Sequence, residues 1–531
     1  MGMAEDFRID FEPLGRRGQV HRGQTLLEAA QSAGVGLASV CGGIGTCEEC
    51  LVRVVSGRLT PPTLVEEAVL SKADLSAGVR LACQAEPLSD VKLDIPPESL
   101  TAEQRLQLDG EEIQLELHPL IRRQGAHGLA VDIGTTKLAA YLVDLNTGVT
   151  VARAGAMNPQ IAFGEDVISR IAYAGRESGG AKKLQSVLME TLNSLLAGMC
   201  VEAKVDQDTV LDAVLVGNTA MHHLFAGLPV EQLGHAPFEP ATIKPLVIPA
   251  IELGLNLVRG TNVYLPPVIA GYVGADHVAM LLATDAWRSP GNIIALDIGT
   301  NTEISLITNG IVSCCSCASG PAFEGAHIHE GMRAAPGAIE RARWSEGKII
   351  WQTIENLPPV GICGSGILDV VSSLLDGGLV KPTGSLKTDS ISGYVLVPAA
   401  QSGLGRALIV TRKDINEIQL AKSAIRAAVE ILLEEAGLRS SDLDSFIVAG
   451  AFGTYLDLRS AVHIGMFPCL PIEIFRQVGN SAGVGAKQML VSLDKRKEAE
   501  QLASQVGYVE LTSRPAFTTM FMEHLSFQVS E

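Results

Sequence analysis

Gly128-Leu-Ala-Val-Asp132-Ile-Gly-Thr-Thr-Lys137 is written again, 165 residues further on, as Ile293-Ile-Ala-Leu-Asp297-Ile-Gly-Thr-Asn-Thr302-Glu303. Each copy reads as an apolar strand, an Asp-Ile-Gly-Thr turn, a second apolar strand, and an Asn-Gly-type hairpin turn. The match extends outward. Each half continues into an amphipathic helix, an acidic turn, a short strand and a glycine turn. The first of these ends Leu211-Asp-Ala-Val-Leu-Val-Gly217-Asn-Thr, and the second Leu443-Asp-Ser-Phe-Ile-Val-Ala-Gly450-Ala-Phe-Gly453. In the second copy the helix is expected to begin at an Asp414 cap. It would bury Ile415, Ile418, Ala421, Ile425, Val429 and Leu432 on one face. One Asp-Ile-Gly-Thr would be an ordinary tight turn; two in matched contexts signal a duplicated fold. Residues 126–288 and 289–531 are therefore expected to form two subdomains.

A different signal precedes them. Cys41-Gly-Gly-Ile-Gly-Thr-Cys47-Glu-Glu-Cys50 is followed, after 32 residues, by Leu-Ala-Cys83-Gln. Two irons bridged by sulfide need four thiolates. One tight loop wraps one side of such a cluster, and a distant segment must supply the remaining ligand. Gly42, Gly43 and Gly45 let the backbone close around the cluster and aim N–H groups at its sulfurs. A zinc knuckle would prefer two Cys-x-x-Cys pairs, whereas only one is present, and buried structural cysteines would not need the glycines. The flanks read as a strand at 7–11, a helix at 24–33 and a strand at 51–56. Residues 1–95 are expected to form one domain, with the polar, acidic stretch 96–125 as a linker.

Bulk properties set outer limits. The 531 residues call for more than one domain, and 47% hydrophobic against 19% charged residues allows large cores. A formal charge of −18 argues against nucleic acid or an anionic membrane as main partner. No basic-plus-apolar leader opens the chain, and no uninterrupted apolar run approaches the roughly 20 residues of a membrane helix, so a cytoplasmic location is expected. Ten scattered cysteines do not form a disulfide framework.

The cysteine loop resembles that of adrenodoxin- and putidaredoxin-like ferredoxins, over roughly residues 5–95. That resemblance implies a β-grasp domain carrying a one-electron [2Fe–2S] cluster on Cys41, Cys47, Cys50 and Cys83. The duplicated half resembles the actin/Hsp70/sugar-kinase superfamily, a ribonuclease-H-like α/β fold in which two such hairpins clamp the phosphates of ATP. Under that resemblance Gly134 and Gly299 let backbone N–H groups approach phosphate oxygens, and Thr135, Thr136, Thr300 and Thr302 add hydroxyl donors beside Asn301. Asp132 and Asp297 bring the acceptor charge for Mg²⁺ through its waters, Lys137 neutralises phosphate charge, and Glu303 polarises a water or hydroxyl. The adenosine motif falls on Gly450, Ala451, Phe452 and Gly453. Small-residue helices at 271–280 and 479–487 are expected to join the subdomains.

Taken whole, from about residue 5 to about 490, the chain resembles the reductive activators of corrinoid-dependent methyltransferases. The stretches that carry this are Asn218-Thr-Ala-Met-His222, Gly320-Pro-Ala-Phe-Glu-Gly-Ala326 and Gly361-Ile-Cys-Gly-Ser-Gly366. The resemblance implies an ATP-hydrolysing iron–sulfur oxidoreductase that returns a Co(II) corrinoid protein to Co(I). An upstream low-potential donor would reduce the cluster, and a homodimer is left open. An ATP-gated donor to a non-corrinoid enzyme such as a dehydratase, or a redox-sensing metabolite kinase, are the rival readings. Cys314, Cys315 and Cys317 are expected to be small buried strand residues, and Cys200, Cys363 and Cys469 core. His222-His223 and His327-x-His329 are expected to be structural. Gly364-Ser-Gly366 reads equally as an anion-binding helix start or a packing turn.

Overall fold

The computed structural model describes residues 6–37, 43–45, 50–96, 99–100, 117–164, 166–299, 301–325, 327–387 and 393–527. The chain divides into two compact units, residues 1–105 with 321–419, and residues 106–320 with 420–531.

In the first unit, the N-terminal part is a five-stranded sheet. Its spatial order is Arg16–His21, Asp6–Glu12, Val91–Asp94, Leu51–Ser56 and Val79–Leu81, with the Asp6–Glu12 and Val91–Asp94 strands parallel and the other neighbours antiparallel. Alternation along Asp6–Glu12 turns Ile9 and Phe11 inward, and they meet Leu26 and Ala30 of a short helix, Leu26–Ser32. That helix starts where Thr25 accepts the Glu28 N–H while the Glu28 carboxylate takes the Thr25 N–H, a reciprocal cap. A sheet wrapped on one helix is the β-grasp pattern expected here. Under it, the fully buried Glu66 carboxylate receives two hydrogen bonds of 2.8 Å from Arg80 and one of 3.0 Å from the Leu81 N–H. Burial opposes its ionisation, yet these donors win and hold Glu66 below the usual carboxylate range.

Residues 321–419 complete this unit. A sheet of Lys348–Thr353, Ala338–Ser345 and Gly361–Ile362 packs on the helix Gly364–Asp376. A Cβ at Gly364 would lie 1.6 Å from the Phe323 carbonyl, and one at Gly366 2.0 Å from that of Ile339, so backbone packing accounts for both glycines. The N-terminal sheet seats on this body through buried arginines. Arg333 donates to Glu12 Oε2 at 3.1 Å and to the Pro13 carbonyl, and Arg16 donates to the Gly331 and Val360 carbonyls. Burial lowers the Arg16 guanidinium to about 10 although Glu330 supports it. Glu330 is itself held bidentate by Arg406 at 2.6 and 2.9 Å.

The second unit carries the duplication. One sheet runs Leu246–Pro249, Asn262–Leu265, Val210–Gly217, His127–Ile133, Lys137–Asp144, Thr150–Met157, and the other Phe475–Gly479, Ser445–Ala449, Asn292–Ile298, Thr302–Thr308, Ile311–Cys317, Gly507–Tyr508. In both, the strand bearing the aspartate pairs antiparallel with its hairpin partner. On its other side it pairs parallel with a strand that follows a long helix, Gly180–Ala203 or Arg412–Glu435. The first of these helices has the length and hydropathy of a membrane span, but half of it is buried, with Leu184, Leu188, Leu192 and Leu196 in the sheet's core. The expected inward face of the second, from Ile415 to Leu432, is buried. Its start is a correction: Thr411 is the cap, accepting the Asp414 N–H at 3.2 Å while the Asp414 carboxylate returns to the Thr411 N–H at 2.8 Å. A β-branched hydroxyl three residues ahead of a carboxylate closes this box, which moves Asp414 inside the first turn.

Helices Ala275–Thr284 and Ser481–Val491 bring the two sheets into one core containing Ala130, Val214, Ala295 and Ile447. Their contact needs small residues: a Cβ on Gly485 would stand 2.1 Å from the Ala279 carbonyl. The α/β class and the duplicated architecture expected from the sequence are what the chain adopts.

Removing one charge of the Glu66–Arg80 pair should expose the cost of the other. Glu66→Gln is expected to destabilise the N-terminal domain by about 3 kcal/mol, because Arg80 is left buried and uncompensated. Urea unfolding followed by loss of cluster absorbance checks this; an unchanged midpoint would contradict it.

Candidate functional site

The cluster loop is built at one edge of the β-grasp sheet. Leu51 and Leu81 are register partners, so Cys50 and Cys83 flank one rung of the ladder, both buried and neither in a disulfide. Gly43 and Gly45 have φ of +89° and +91°, a region side-chain-bearing residues rarely adopt, and a Cβ on Gly45 would lie 2.7 Å from Val65. Gln84 spans the loop, its Nε2 lying 3.1 Å from the Gly43 carbonyl and 3.7 Å from Cys83 Sγ. Cys41 and Cys47 fall outside the described residues. The described pair, the glycine loop and an amide donor at a sulfur suit a [2Fe–2S] cluster.

The second site forms where the two hairpins face each other. Asp132 and Asp297 end matching strands, and Glu303 is the cross-strand partner of Asp297, so both carboxylates stand on one face. Asp276, at the start of the helix Ala275–Thr284, joins them. Burial raises Asp132 to about 7, with Asp297 adding to the rise and a hydrogen bond from Asn480 opposing it. Burial likewise raises Asp297 to about 6. Asp276 and Glu303 go well above the carboxylate range, from burial first and then from each other's neighbours, Asp297 acting on both. Four carboxylates gathered here, Glu303 buried and Asp132, Asp276 and Asp297 half-buried, favour the arrival of positive charge. Among the described residues no three His, Cys, Asp or Glu side chains converge as direct metal ligands. The carboxylates fit the charge of a hydrated Mg²⁺, which Asp132 and Asp297 would hold through its waters.

Gly450 explains how Asp297 gets there. Its φ is +91°, and a Cβ on it would be 2.5 Å from Asp297 Oδ1. Gly134 does the same for the first hairpin, where a Cβ would meet the Lys137 carbonyl at 2.6 Å. In the second hairpin, Gly299 N–H donates to the Asn301 carbonyl at 3.0 Å. Thr302 departs from expectation. Its hydroxyl is buried and bonds to Ser319 Oγ at 2.9 Å, and strand alternation puts it opposite Glu303, so it braces the hairpin rather than facing the carboxylates. Thr135, Thr136 and Lys137 sit half-buried on the first hairpin, and Thr300 lies outside the described residues. Phe452 and Gly453 belong to the short helix Ala451–Tyr455, with Gly453 accepting from Gln477 Nε2.

Sequence reasoning missed Asp276 and Asn480, which it read only as parts of packing helices. The available signal was a polar residue just after a strand-ending glycine, as in Gly479-Asn480. His222 and His223 are buried with Nδ1 atoms 3.3 Å apart, and burial pushes His222 down to about 3. Cys314, Cys315 and Cys317 are buried, and burial raises all three thiols, as structural cysteines require. Cys200 and Cys363 are core, but Cys469 is exposed, a correction: it lies in the loop Pro468–Leu470 ahead of Pro471, outside any strand or helix.

With this geometry in place, comparison with known proteins is specific. Corrinoid activation enzyme RamQ of Eubacterium limosum is 30% identical over 588 aligned positions, which take in 98% of this chain and 99% of that one. The chain belongs to the reductive activators of corrinoid proteins. Its segments match three family models: the 2Fe-2S iron-sulfur cluster binding domain over residues 10–88, the RACo middle region over 127–289, and the C-terminal domain of RACo, the ASKHA domain, over 291–531. The [Co(II) methylated amine-specific corrinoid protein] reductase of Methanosarcina barkeri is 26% identical and covers 76% of the activator described here. The solved structure of a reductive activator for corrinoid, iron-sulfur protein superposes with a TM-score of 0.70 at 31% identity, covering 98% of each chain. The activator thus carries a [2Fe–2S] cluster and an ATP-binding ASKHA fold.

A carboxylate whose pKa is raised by folding stabilises the folded chain at low pH, and that contribution is lost as pH rises through the raised value. The nucleotide-free activator should therefore lose stability from about pH 4, the ordinary carboxylate value, to about pH 7, the window set by Asp297 and Asp132. Asp132→Asn is expected to flatten this slope and add about 1–3 kcal/mol at the alkaline end. It should also cancel the stabilisation by Mg²⁺–ATP. Thermal melts with and without Mg²⁺–ATP read both effects, and an unchanged slope would refute the assignment.

Proposed function

We propose that the activator hydrolyses ATP to drive one electron from its [2Fe–2S] cluster onto the cobalt of an inactive Co(II) corrinoid protein, restoring Co(I) for methyl transfer. The observation that carries this is the span of the RamQ match, which runs through the cluster domain and both ASKHA halves without leaving either aside. A kinase has no use for an electron carrier, and an electron carrier has no use for a second fold of this size.

The energetics give ATP its task. Each ~59 mV of one-electron mismatch is a factor of ten in the equilibrium, and the Co(II)/Co(I) couple is very low. ATP-dependent closure supplies several kcal/mol of differential affinity for the reducible form of the partner. The [2Fe–2S] cluster, when bound, supplies the electron singly. Cys41, Cys47, Cys50 and Cys83 hold it, with Gln84 aimed at Cys83. On the ATP side, Asp132 and Asp297 would hold the hydrated Mg²⁺, and backbone N–H groups of the Gly134 and Gly299 turns would donate to phosphate oxygens. Glu303, pushed well above the usual carboxylate range by burial and by Asp276 and Asp297, would polarise the attacking water. Gly450–Gly453 take the adenosine. A low-potential reductant recharges the cluster, and the partner is a corrinoid protein of a methyltransferase system.

Anaerobic mixing of reductant, ATP, activator and a Co(II) corrinoid protein should produce the Co(I) absorption band. Cys83→Ser should abolish the band and leave ATP binding intact; Asp297→Ala should abolish ATP hydrolysis and leave the cluster spectrum intact. ATP-dependent phosphorylation of a metabolite without any Co(I) would sink the activator reading.

A further inference from the structure

Three asparagines converge on the first hairpin, and each is bound in the same way. Asn158, Asn218 and Asn480 precede helical turns and cap them with Oδ1, which accepts the N–H of Gln160 at 3.0 Å, of Met221 at 3.0 Å and of Gly483 at 2.8 Å. A backbone N–H can only face the amide oxygen, so these bonds fix which way each amide points. Every Nδ2 is then turned onto the hairpin. Asn158 donates to the Gly134 carbonyl at 2.8 Å, Asn218 donates to Thr135 Oγ1 at 2.8 Å, and Asn480 donates to the Asp132 carboxylate. The fully buried Arg170 adds a bond to the Thr135 carbonyl, and the Asn158 N–H donates to that of Thr136 at 2.9 Å.

Serine, threonine and aspartate cap a helix as well as asparagine does. Among these capping side chains only asparagine offers a separate acceptor and donor on one short, rigid plane. The choice of asparagine at all three positions is thus explained by the hairpin, not by the helices. At Thr135 the consequence is directional. Its oxygen already accepts from Asn218, which leaves the hydroxyl proton free to donate elsewhere.

The geometry points to Asn158, Asn218 and Asn480 as positioning residues of the nucleotide site, with Asn218 setting the Thr135 hydroxyl as a donor toward a phosphate oxygen. This rests on the reading of the first hairpin as a phosphate-binding element.

The test uses the full-length activator, with ATP affinity and melting temperature measured for Asn218→Ser, Thr135→Val and the double variant. Serine keeps the cap but is too short to reach Thr135. Asn218→Ser should weaken ATP about tenfold with little change in melting temperature, the loss of one oriented hydrogen bond. The double variant should bind no more weakly than Thr135→Val alone, because both changes remove one interaction. Multiplying losses in the double variant, or unchanged affinity in Asn218→Ser, would overturn the role of Asn218. Asn218→Asp has the same shape and still caps, so it serves if the serine variant is unstable. It forces the Thr135 hydroxyl to donate backwards, and its loss must shrink in the Thr135→Val background. Wild-type activator without measurable ATP affinity would instead sink the phosphate reading itself.

Discussion

Mutual repulsion among Asp132, Asp276, Asp297 and Glu303 is the constraint on which the nucleotide half of this protein is built. Carboxylates do not gather at half-buried positions unless the scaffold forces them, and here each arrives on a separate element. Two come at the ends of matching strands, one across a hairpin, and one at a helix start. The duplication is what makes this possible, since it presents the same aspartate twice from facing sheets.

The close approaches around that cluster follow from the same demand. Gly450 lets Asp297 lie against backbone, and Gly485 lets the helices behind the cleft touch at an alanine carbonyl. Small residues at these points let the elements around the two hairpins approach one another closely. The asparagine caps then give the first hairpin a defined arrangement of donors. A helix start, which must find acceptors for its N–H groups in any case, becomes a way to aim an amide.

The cluster domain follows different physics. Its loop needs backbone conformations available to Gly43 and Gly45, and its core is secured by a buried ion pair at Glu66 and Arg80. It seats on residues 321–419 through Arg333 and Arg16, whose partners are mostly carbonyl oxygens. Carbonyl acceptors on a buried guanidinium hold position without a fixed opposing charge for each bond.

Much of this was legible in the chain before any fold was seen. The repeated Asp-Ile-Gly-Thr announced the duplication because strand–turn–strand units are local and leave a local pattern. The cysteine loop was legible for the same reason, as glycine spacing is dictated by φ. What only tertiary structure decided were relations between distant segments. The neighbours of Asp297 are Glu303 across a hairpin, Gly450 from another strand and Asp276 from another helix. The Thr302 hydroxyl meets Ser319, and Asn218, which caps a helix, also reaches Thr135. These pairings depend on strand order and on which side of a pleat a residue falls, and neither is written in the spacing of a single stretch. The sequence by itself therefore determined the parts and their chemistry, while the way the sheets stack determined which charges must share a cleft.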